Sequence, residues 1–474
     1  MIKFEVYYDY EDPANLLYDS SSATNNGFMS GEVGIEVGKA SEFTFSLSPD
    51  HPMKSSLKRY GPAIAVKESY ISNGSVRDSY YLFLGRIISI DDDIYGNATY
   101  TCEGALNFLN DFRFADVLTG ESIYLNDIDT STFDTEKFIK RALDRYSQCM
   151  CNNENATSTN YSQYGDSGIN SRAFQFGSIE GIGPAGFPCV VNRFKDTTGG
   201  VSAYEMLMDN AAKDCGGFFY LEYEKYSSSA AAYLRNHYYT VLSFNCTSDY
   251  ELLGFPYDEN DIMGAIVEDE AYSADLYPAF RFGDNLISYD RESSYDEVFS
   301  GVIPISNDGI TLSYNDSSRS TKGYNTSDYI WNADAISEYG RIVKKLEFDL
   351  TAKVTIEGDE YNEDEEYVPD STLQSMRTNS EHWLASHVRL DIPKYIIHGL
   401  EPIEYSDADG VERARCEYLI RPMHGVILDD PYRDVYFWGP CLSMRINLFE
   451  QDKNEYTIGL YLPEKFTTDR ISNS

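Results

Sequence analysis

The stretch LFLGRIISIDDDIYGNATYTCEGALNFLNDF, residues 82–112, constrains this fold more than any other. Leu82 to Ile90 reads as one strand, DDDIYGN as a turn, and Ala98 to Cys102 as the returning strand, with Gly104 ending the hairpin. Ala105, Phe108, Leu109 and Phe112 then fall at i, i+3, i+4 and i+7, which is one face of a short amphipathic helix. Such a helix can close one end of a small barrel. Arg86 and Glu103 stand at the ends of the hairpin, an arrangement that asks for a polar partner nearby.

The rest of residues 1–104 has the same texture. EVGIEVG, FTFSLSP, AIAVKESY and YYLFLGRIISI are rich in β-formers and are separated by Gly, Pro, Asn and Ser. In FTFSL, Phe43, Phe45 and Leu47 alternate with Thr44 and Ser46, as in a strand buried on one face. Strands at this spacing predict a small barrel or sandwich.

A different texture follows. FDTEKFIKRALDRYSQ places Phe138, Ile139, Ala142, Leu143 and Tyr146 on one side of a helix. Ser202 and Glu205 form a capping box, and Gly216-Gly217 stops that helix before a strand. Residues 149–173 between them read as a long loop. From about residue 261 β-texture returns in AFRFGDNLISY, VFSGVIPIS and GITLSY. The helix NADAISEYG, the strand IVKKLEFDL, an acidic segment and a helix near 371–388 come next, and the last strands are RCEYLIRP, YFWGPCLSMRINLF and EYTIGLYL. The expected division is a first barrel over 1–112, an α+β domain over 113–260, and a second barrel over 261–348 and 395–466. An acidic, helical segment, 349–394, is inserted in the second barrel.

Composition bounds the function classes. A chain of 474 residues exceeds one ordinary core, and 42% hydrophobic with 14% aromatic residues is ample for packed domains. Its 40 tyrosines suit half-buried strands and contact surfaces. A net charge of −39 and a pI near 4.4 argue against wrapping nucleic acid or adhering to an anionic membrane. An acidic wall can serve the opposite purpose and let DNA slide past without sticking; otherwise the charge simply keeps a large β-protein soluble. No signal peptide and no bilayer-length apolar run are visible, so cytosolic synthesis is expected.

Catalytic signatures are missing. HExxH, Walker, Rossmann and G-x-S-x-G patterns do not occur, and His382 and His387 in EHWLASH are five apart, a poor spacing for two ligands on one helical face. Cys149 and Cys151 in CMC do not have zinc-knuckle spacing, and eight cysteines in so long a chain are no disulfide framework. Asp407, Asp409 and Gly410 are similar to part of a calcium loop without its twelfth-position acid, which leaves a solvated turn as the simpler reading. The run Asp359–Glu366 reads as an exposed acidic face, and the N-x-S/T triplets at Asn97 and Asn325 as chance. Carboxylates are too abundant for spacing to pick out a glycosidase pair. No catalytic residue, cofactor-binding residue or metal ligand is therefore assigned.

Taken in order, FSLSPDHPMKSSL, LFLGRIISI and YTCEGALNFLNDF resemble the start of the hub proteins at the tail tip of long-tailed bacteriophages. That family includes the N-terminal part of tail-associated lysins and prophage tail endopeptidases. Its N-P-x-HP-like turn, its strand ending in G-R-I and its cEG-x-L-x-x-L-x-D segment correspond to Ser48–Pro52, Gly85–Ile87 and Cys102–Asp111. ALDRYSQ followed by FQFGSI, then YEMLMDNAAKDCGGFFYLEY, FRFGDNLISY with VFSGVIPIS, and SEYGRIVKKLEFD continue the likeness over roughly 45–350, with a weaker tail to about 460. The sequence departs from the family in lacking the His-Asn pair at the end of the first helix and in having Ser306 where Gly is common.

The resemblance implies a mainly β fold with α+β parts, in which two tube-like β-barrel domains and inserted helical domains build a baseplate-hub architecture. Three chains would give six barrels, and this homotrimer would continue the tail tube. Implied partners are a distal tail protein or tube ring above, the tape-measure protein, and fibre or receptor-binding proteins. Phage DNA would pass transiently without specific binding, and no stable membrane insertion is expected. The implied setting is the virion tail tip or baseplate, assembled in the host bacterial cytoplasm. Lysin-type relatives carry a peptidoglycan-cleaving domain after the hub; this chain ends in TTDRISNS soon after its last strands, so no hydrolase is expected. The alternatives are a cell-wall hydrolase with carboxylates in an acidic groove and a Tyr-rich carbohydrate-binding adhesin. Arg86 and Glu103 then have two readings, a contact at a seam between subunits or an ordinary pair within the chain.

Overall fold

Hydrogen bonding carries the N-terminal strands round in a curl. In the computed structural model they are β1 (Ile2–Tyr8), β2 (Leu16–Asp19), β3 (Phe28–Glu36), β4 (Glu42–Leu47), β5 (Ile64–Ser72), β6 (Ser75–Asp92) and β7 (Ala98–Gly104), paired in the order β3-β4-β7-β6-β5-β1-β2. The structure describes residues 1–22, 24, 26–72, 74–114, 135–160, 162, 172–180, 201–208, 217–226, 236–246, 278–292, 299–314, 327–349, 352–356, 365–387, 394–401, 405–406, 412–413, 419–422, 425–459 and 470–472. Among these, no helix is long and apolar enough to cross a membrane.

Alternation does what it predicts in β4: Phe43, Phe45 and Leu47 are all fully buried, while Glu42 and Thr44 are exposed. Phe45 stacks on Tyr100 at 4.8 Å, on Phe43 at 5.0 Å and on Phe28 at 5.6 Å. Each such ring, fully buried, contributes on the order of 2–3 kcal/mol from water exclusion alone.

The hairpin of residues 82–104 forms as expected, with β6 and β7 joined through a turn in which the Asp93 carboxylate accepts from the backbone N–H groups of Tyr95 and Asn97. The segment after it differs from expectation. Ala105–Asn110 is a six-residue 3₁₀ turn rather than an α-helix, and Leu106 is buried along with Ala105, Phe108 and Leu109. The side chain of Asp111, just after it, is drawn back to Arg86.

In the α+β region, α1 (Thr135–Cys151) buries Phe138, Ile139, Ala142, Leu143 and Tyr146 completely. It faces a sheet of β8 (Phe174–Glu180), β9 (Gly217–Lys225) and β10 (Tyr238–Cys246), where β10 lies between the other two, antiparallel to β9 and parallel to β8. Ser202 and Glu205 make the capping box, with Glu205 N–H on Ser202 Oγ at 3.0 Å and Ser202 N–H on Glu205 Oε2 at 2.9 Å. The expected loop at 149–173 starts later than anticipated, because Cys149–Cys151 belong to α1. Asp144 then pins the turn that follows by accepting from Ser158 N–H and Oγ, both at 2.8 Å. Of the remainder of that loop, 161 and 163–171 lie outside the described residues.

A second hydrogen-bonded circuit comes from β11 (Ala279–Arg281), β12 (Leu286–Glu292), β13 (Lys394–Gly399), β14 (Gly425–Asp430), β15 (Val435–Asn447) and β16 (Glu455–Ile458). Pairing runs β12-β13-β16-β15-β14-β11, and only the bend at 282–285 separates its two ends. Asn285 closes that bend, giving its amide to the Ala279 and Leu400 carbonyls at 3.1 and 3.0 Å. β13 and β14 were not anticipated, since short apolar runs such as Val426–Leu428 do not distinguish strand from helix. Leu419–Pro422, the described end of the expected strand RCEYLIRP, is irregular.

The two circuits are one sheet. β15 pairs antiparallel with β3, Ser443 to Asn447 opposite Glu36 to Glu32, giving thirteen strands in all. Their core is continuous: Phe28, Phe45 and Tyr100 belong to one buried cluster with Met444, Leu448 and Tyr456. The fold is thus mainly β with α+β parts.

By compactness the chain divides into 1–292 with 394–463, which holds everything above, and 293–393 with 464–474. In the latter, strands Gly301–Ser306 and Val343–Asp349 pair in parallel, connected through helix Ala333–Tyr339. Asn332 caps that helix and Gly340, at φ 80°, ends it. Helix Asp370–His387 contributes Leu373, Met376 and Leu384 to the core of this unit. GITLSY is not a strand: Ser306 Oγ accepts from Ile310 N–H and so turns the chain, although Ile310 and Leu312 are buried as a strand would bury them.

Candidate functional site

The glycines and charges of LGRI and CEG meet across one ladder. Gly85 lies opposite Gly104, and Arg86 opposite Glu103. Arg86 Nε donates to Glu103 Oε1 at 2.7 Å, and its two terminal nitrogens grip both oxygens of Asp111 at 2.7 Å each. The guanidinium also lies against the rings of Tyr60 and Phe108, 5.2 and 5.1 Å from their centroids. Burial pushes its pKa down, but the hydrogen bonds of Asp111 and Glu103 outweigh burial and hold it above the usual arginine value. Arg86 and Glu103 thus pair with each other within the chain.

This node fastens elements together. Tyr60 sits in the left-handed region at φ 55°, an uncommon place for an aromatic residue, and donates its N–H to Ile87 O at 2.8 Å. Arg172, just before β8, reaches Asp111 at 3.7 Å and donates to Tyr60 O at 3.3 Å. Tyr146 of α1 donates to Arg172 O at 3.1 Å. The N-terminal strands are therefore coupled to the α+β sheet through Arg86, Asp111 and Arg172. A second coupling is Glu11, held by Lys67 of β5 at 3.2 Å, Lys225 of β9 at 2.8 Å and the Tyr81 hydroxyl. Burial raises the Glu11 pKa, and the Lys225 and Tyr81 hydrogen bonds more than reverse it.

Where the N-terminal strands meet the segment 419–422, three carboxylates gather around one arginine. Glu68 on β5 and Glu401 just past β13 are both buried. Glu401 accepts from Ile420 N–H at 2.8 Å and from the Tyr456 hydroxyl. Asp78 on β6 accepts from Leu419 N–H at 3.1 Å and from Arg421 at 2.7 Å, and Tyr80 donates to Ile420 O at 2.9 Å. Burial first, and the charge of Glu401 second, push the Glu68 carboxyl well above its usual range; burial pushes Glu401 up to about 7. Nothing in the sequence marked this cluster, because its members come from strands hundreds of residues apart.

Chemistry needs more than buried acids. His51 is buried, with Nε2 on Leu17 O at 3.1 Å and Nδ1 accepting from Met53 N–H at 3.2 Å, so the backbone occupies both nitrogens. Cys102 and Cys441 are buried thiols whose pKa burial raises. Among the described residues no three His, Cys, Asp or Glu side chains are placed to hold a metal ion. Asp407, Asp409 and Gly410 lie outside the described residues, as does most of Asp359–Glu366. The side chains of His382 and His387 are likewise not described.

The surface does carry apolar side chains where a soluble chain usually has polar ones. Ile94 and Tyr95, at the tip of the β6–β7 hairpin, are 92% and 77% exposed. Tyr432, at the β14–β15 tip, is 82% exposed and packs on the partly exposed Phe282, ring centroids 4.9 Å apart.

No family model and no curated protein matches this sequence. Among solved structures, the chain is similar to a tail protein from Neisseria meningitidis MC58 at 12% identity and a TM-score of 0.45, over 97% of this chain and 96% of that one. The prophage tail protein gp18 from Listeria monocytogenes EGD-e follows at 9% identity and 0.42, over 97% and 95%. The 43 kDa tail protein of prophage MuSo2 from Shewanella oneidensis gives 10% and 0.44, over 97% and 98%. At these identities no side-chain role transfers from them to this chain.

Proposed function

We propose that this protein is a structural hub at the distal tip of a phage or phage-like tail, where three copies form a ring that continues the tail tube and docks host-recognition components. The observation that carries the reading is the pairing of β3 with β15, which fuses two barrel walls edge to edge in one chain. Three such chains supply six walls and so match a sixfold tube to a threefold tip. The order of the LGRI, CEGAL and FGDNL segments supports the same reading. The exposed hairpin tips at Ile94–Tyr95 and Tyr432 are suited to contacts with neighbouring rings. With 77 acidic against 38 basic residues, the surface repels phosphate, which suits a conduit that DNA must leave quickly.

A second reading, a carbohydrate-binding adhesin, draws on the 293–393 unit, where Tyr329 and Trp331 stack 5.2 Å apart and both stay partly exposed. Native mass spectrometry at physiological salt separates the two. The hub reading expects a species at three times 53.8 kDa. A stable monomer that is retained on cell-wall polysaccharide, and loses retention when Trp331 becomes alanine, favours the adhesin instead.

A further inference from the structure

We propose that Glu68 and Glu401 form a proton-held clasp that fastens the segment 419–422 to the first barrel, closed while a proton resides on the pair and loosened when both carboxylates ionise.

The charge balance at the joint points to a resident proton. From β5 comes Glu68; from β6, Asp78 and Tyr80; from the 419–422 segment, Arg421; from beyond β13, Glu401; from β15, Cys441; and from β16, Tyr456. β1 presents the apolar Phe4 opposite Glu68. That makes three carboxylates and one guanidinium, and the guanidinium is committed: Arg421 sits 2.7 Å from Asp78 with its flat face over the Tyr80 ring. Glu68 and Glu401 have no cation of their own, and two unpaired buried negative charges cannot persist side by side.

Hydrogen bonding says where the proton acts. Tyr80 has a single hydroxyl proton, and it goes to Ile420 O at 2.9 Å. A protonated Glu68 can donate to this hydroxyl, in a chain from Glu68 through Tyr80 to the Ile420 carbonyl, whereas an ionised Glu68 accepts from Tyr80, a bond that lowers its pKa against burial. One buried carboxyl oxygen of Glu68 has no hydrogen-bond partner. Ionised Glu68 can only accept, so it competes for the Tyr80 proton and breaks the bond to Ile420. Ionised Glu401 keeps its two donors, Ile420 N–H and Tyr456, but repels Glu68.

The sign follows from the direction of both shifts. Each carboxyl is raised in the folded chain above its ordinary 4.5, Glu401 to about 7. The stabilisation is therefore complete below about pH 4.5, begins to be lost as Glu401 ionises near pH 7, and is lost fully once Glu68 ionises as well.

Hydrogen exchange on the full chain tests this, read by mass spectrometry on the peptide containing residues 419–422 and corrected for intrinsic rates. From pH 5.5 to 8.5 wild-type protection there should fall by roughly tenfold or more. In Glu68→Gln, whose amide donates at every pH, it should stay within about twofold over that range. Wild-type protection that does not change with pH overturns the clasp, as does an equal fall in Glu68→Gln. If Glu68→Gln does not fold, Tyr80→Phe decides: lacking the relay, it should show low protection independent of pH, and a wild-type pH profile in that variant overturns the proposal. The outcome does not depend on how many copies assemble.

Discussion

Replacing Arg86 with methionine should lower the main thermal unfolding midpoint by on the order of 5 °C, from a loss of about 3 kcal/mol. Methionine keeps much of the apolar packing between Tyr60 and Phe108 but removes three short hydrogen bonds. Two carboxylates that are largely covered then remain. Asp111 keeps only the more distant Arg172 at 3.7 Å, and Glu103 keeps Asn107 at 3.2 Å. Stranding a charge in this way costs more than the pair contributes when intact. Lysine should recover less than half of the loss, since a point charge can neither fork to Asp111 nor lie flat between two rings. Scanning fluorimetry at matched protein concentration reads the effect; an Arg86→Met midpoint within about 1 °C of wild type would show that the node bears little stability.

Gly85→Ala should be as damaging or worse, for a steric reason. A Cβ at Gly85 would lie 2.1 Å from the Glu103 carbonyl oxygen and 2.4 Å from Phe83 Cζ. The facing Gly104 is equally hemmed in, with Ser41 O at 2.7 Å and Ser41 N at 2.8 Å. Because a backbone carbonyl cannot rotate aside like a side chain, β6 and β7 must part at the point where Arg86 meets Glu103. The expected cost is about 3 kcal/mol or more, seen as a lower midpoint or a shift into the insoluble fraction. Gly34→Ala on β3, where an added Cβ meets nothing within 4 Å, is the control and should stay within about 0.5 kcal/mol of wild type. Equal midpoints for the two alanine variants would refute the steric account.

These two variants also explain the LGRI and CEG segments physically. Each motif looks like an ordinary strand end when read alone. Together they form one site, two glycines that let the strands close and one charge pair that ties them, with Asp111 completing the grip.

Local physics was legible in the sequence wherever neighbours in the chain decide the outcome. Alternation exposed the buried face of β4, a 3.6-residue period exposed the buried face of α1, and Ser202 with Glu205 announced the capping box. The same local reading failed at Ala105–Asn110, where an i, i+3, i+4 pattern fits a 3₁₀ turn as well as an α-helix over six residues. It failed again at Ile310 and Leu312, which are buried without any ladder.

That this chain is mainly β and acidic, with an α+β middle, is legible in its residues alone. Those properties follow from period, propensity and charge, each a sum over nearby residues. Long-range folding was needed to bring β3 against β15 over four hundred residues away, Arg86 to Asp111 as well as Glu103, and Glu68 into a buried joint with Glu401. Strand pairing draws on backbone groups that every residue carries, so no side chain announces its distant partner. A buried carboxylate, likewise, reads as an ordinary surface acid until the fold removes the water around it.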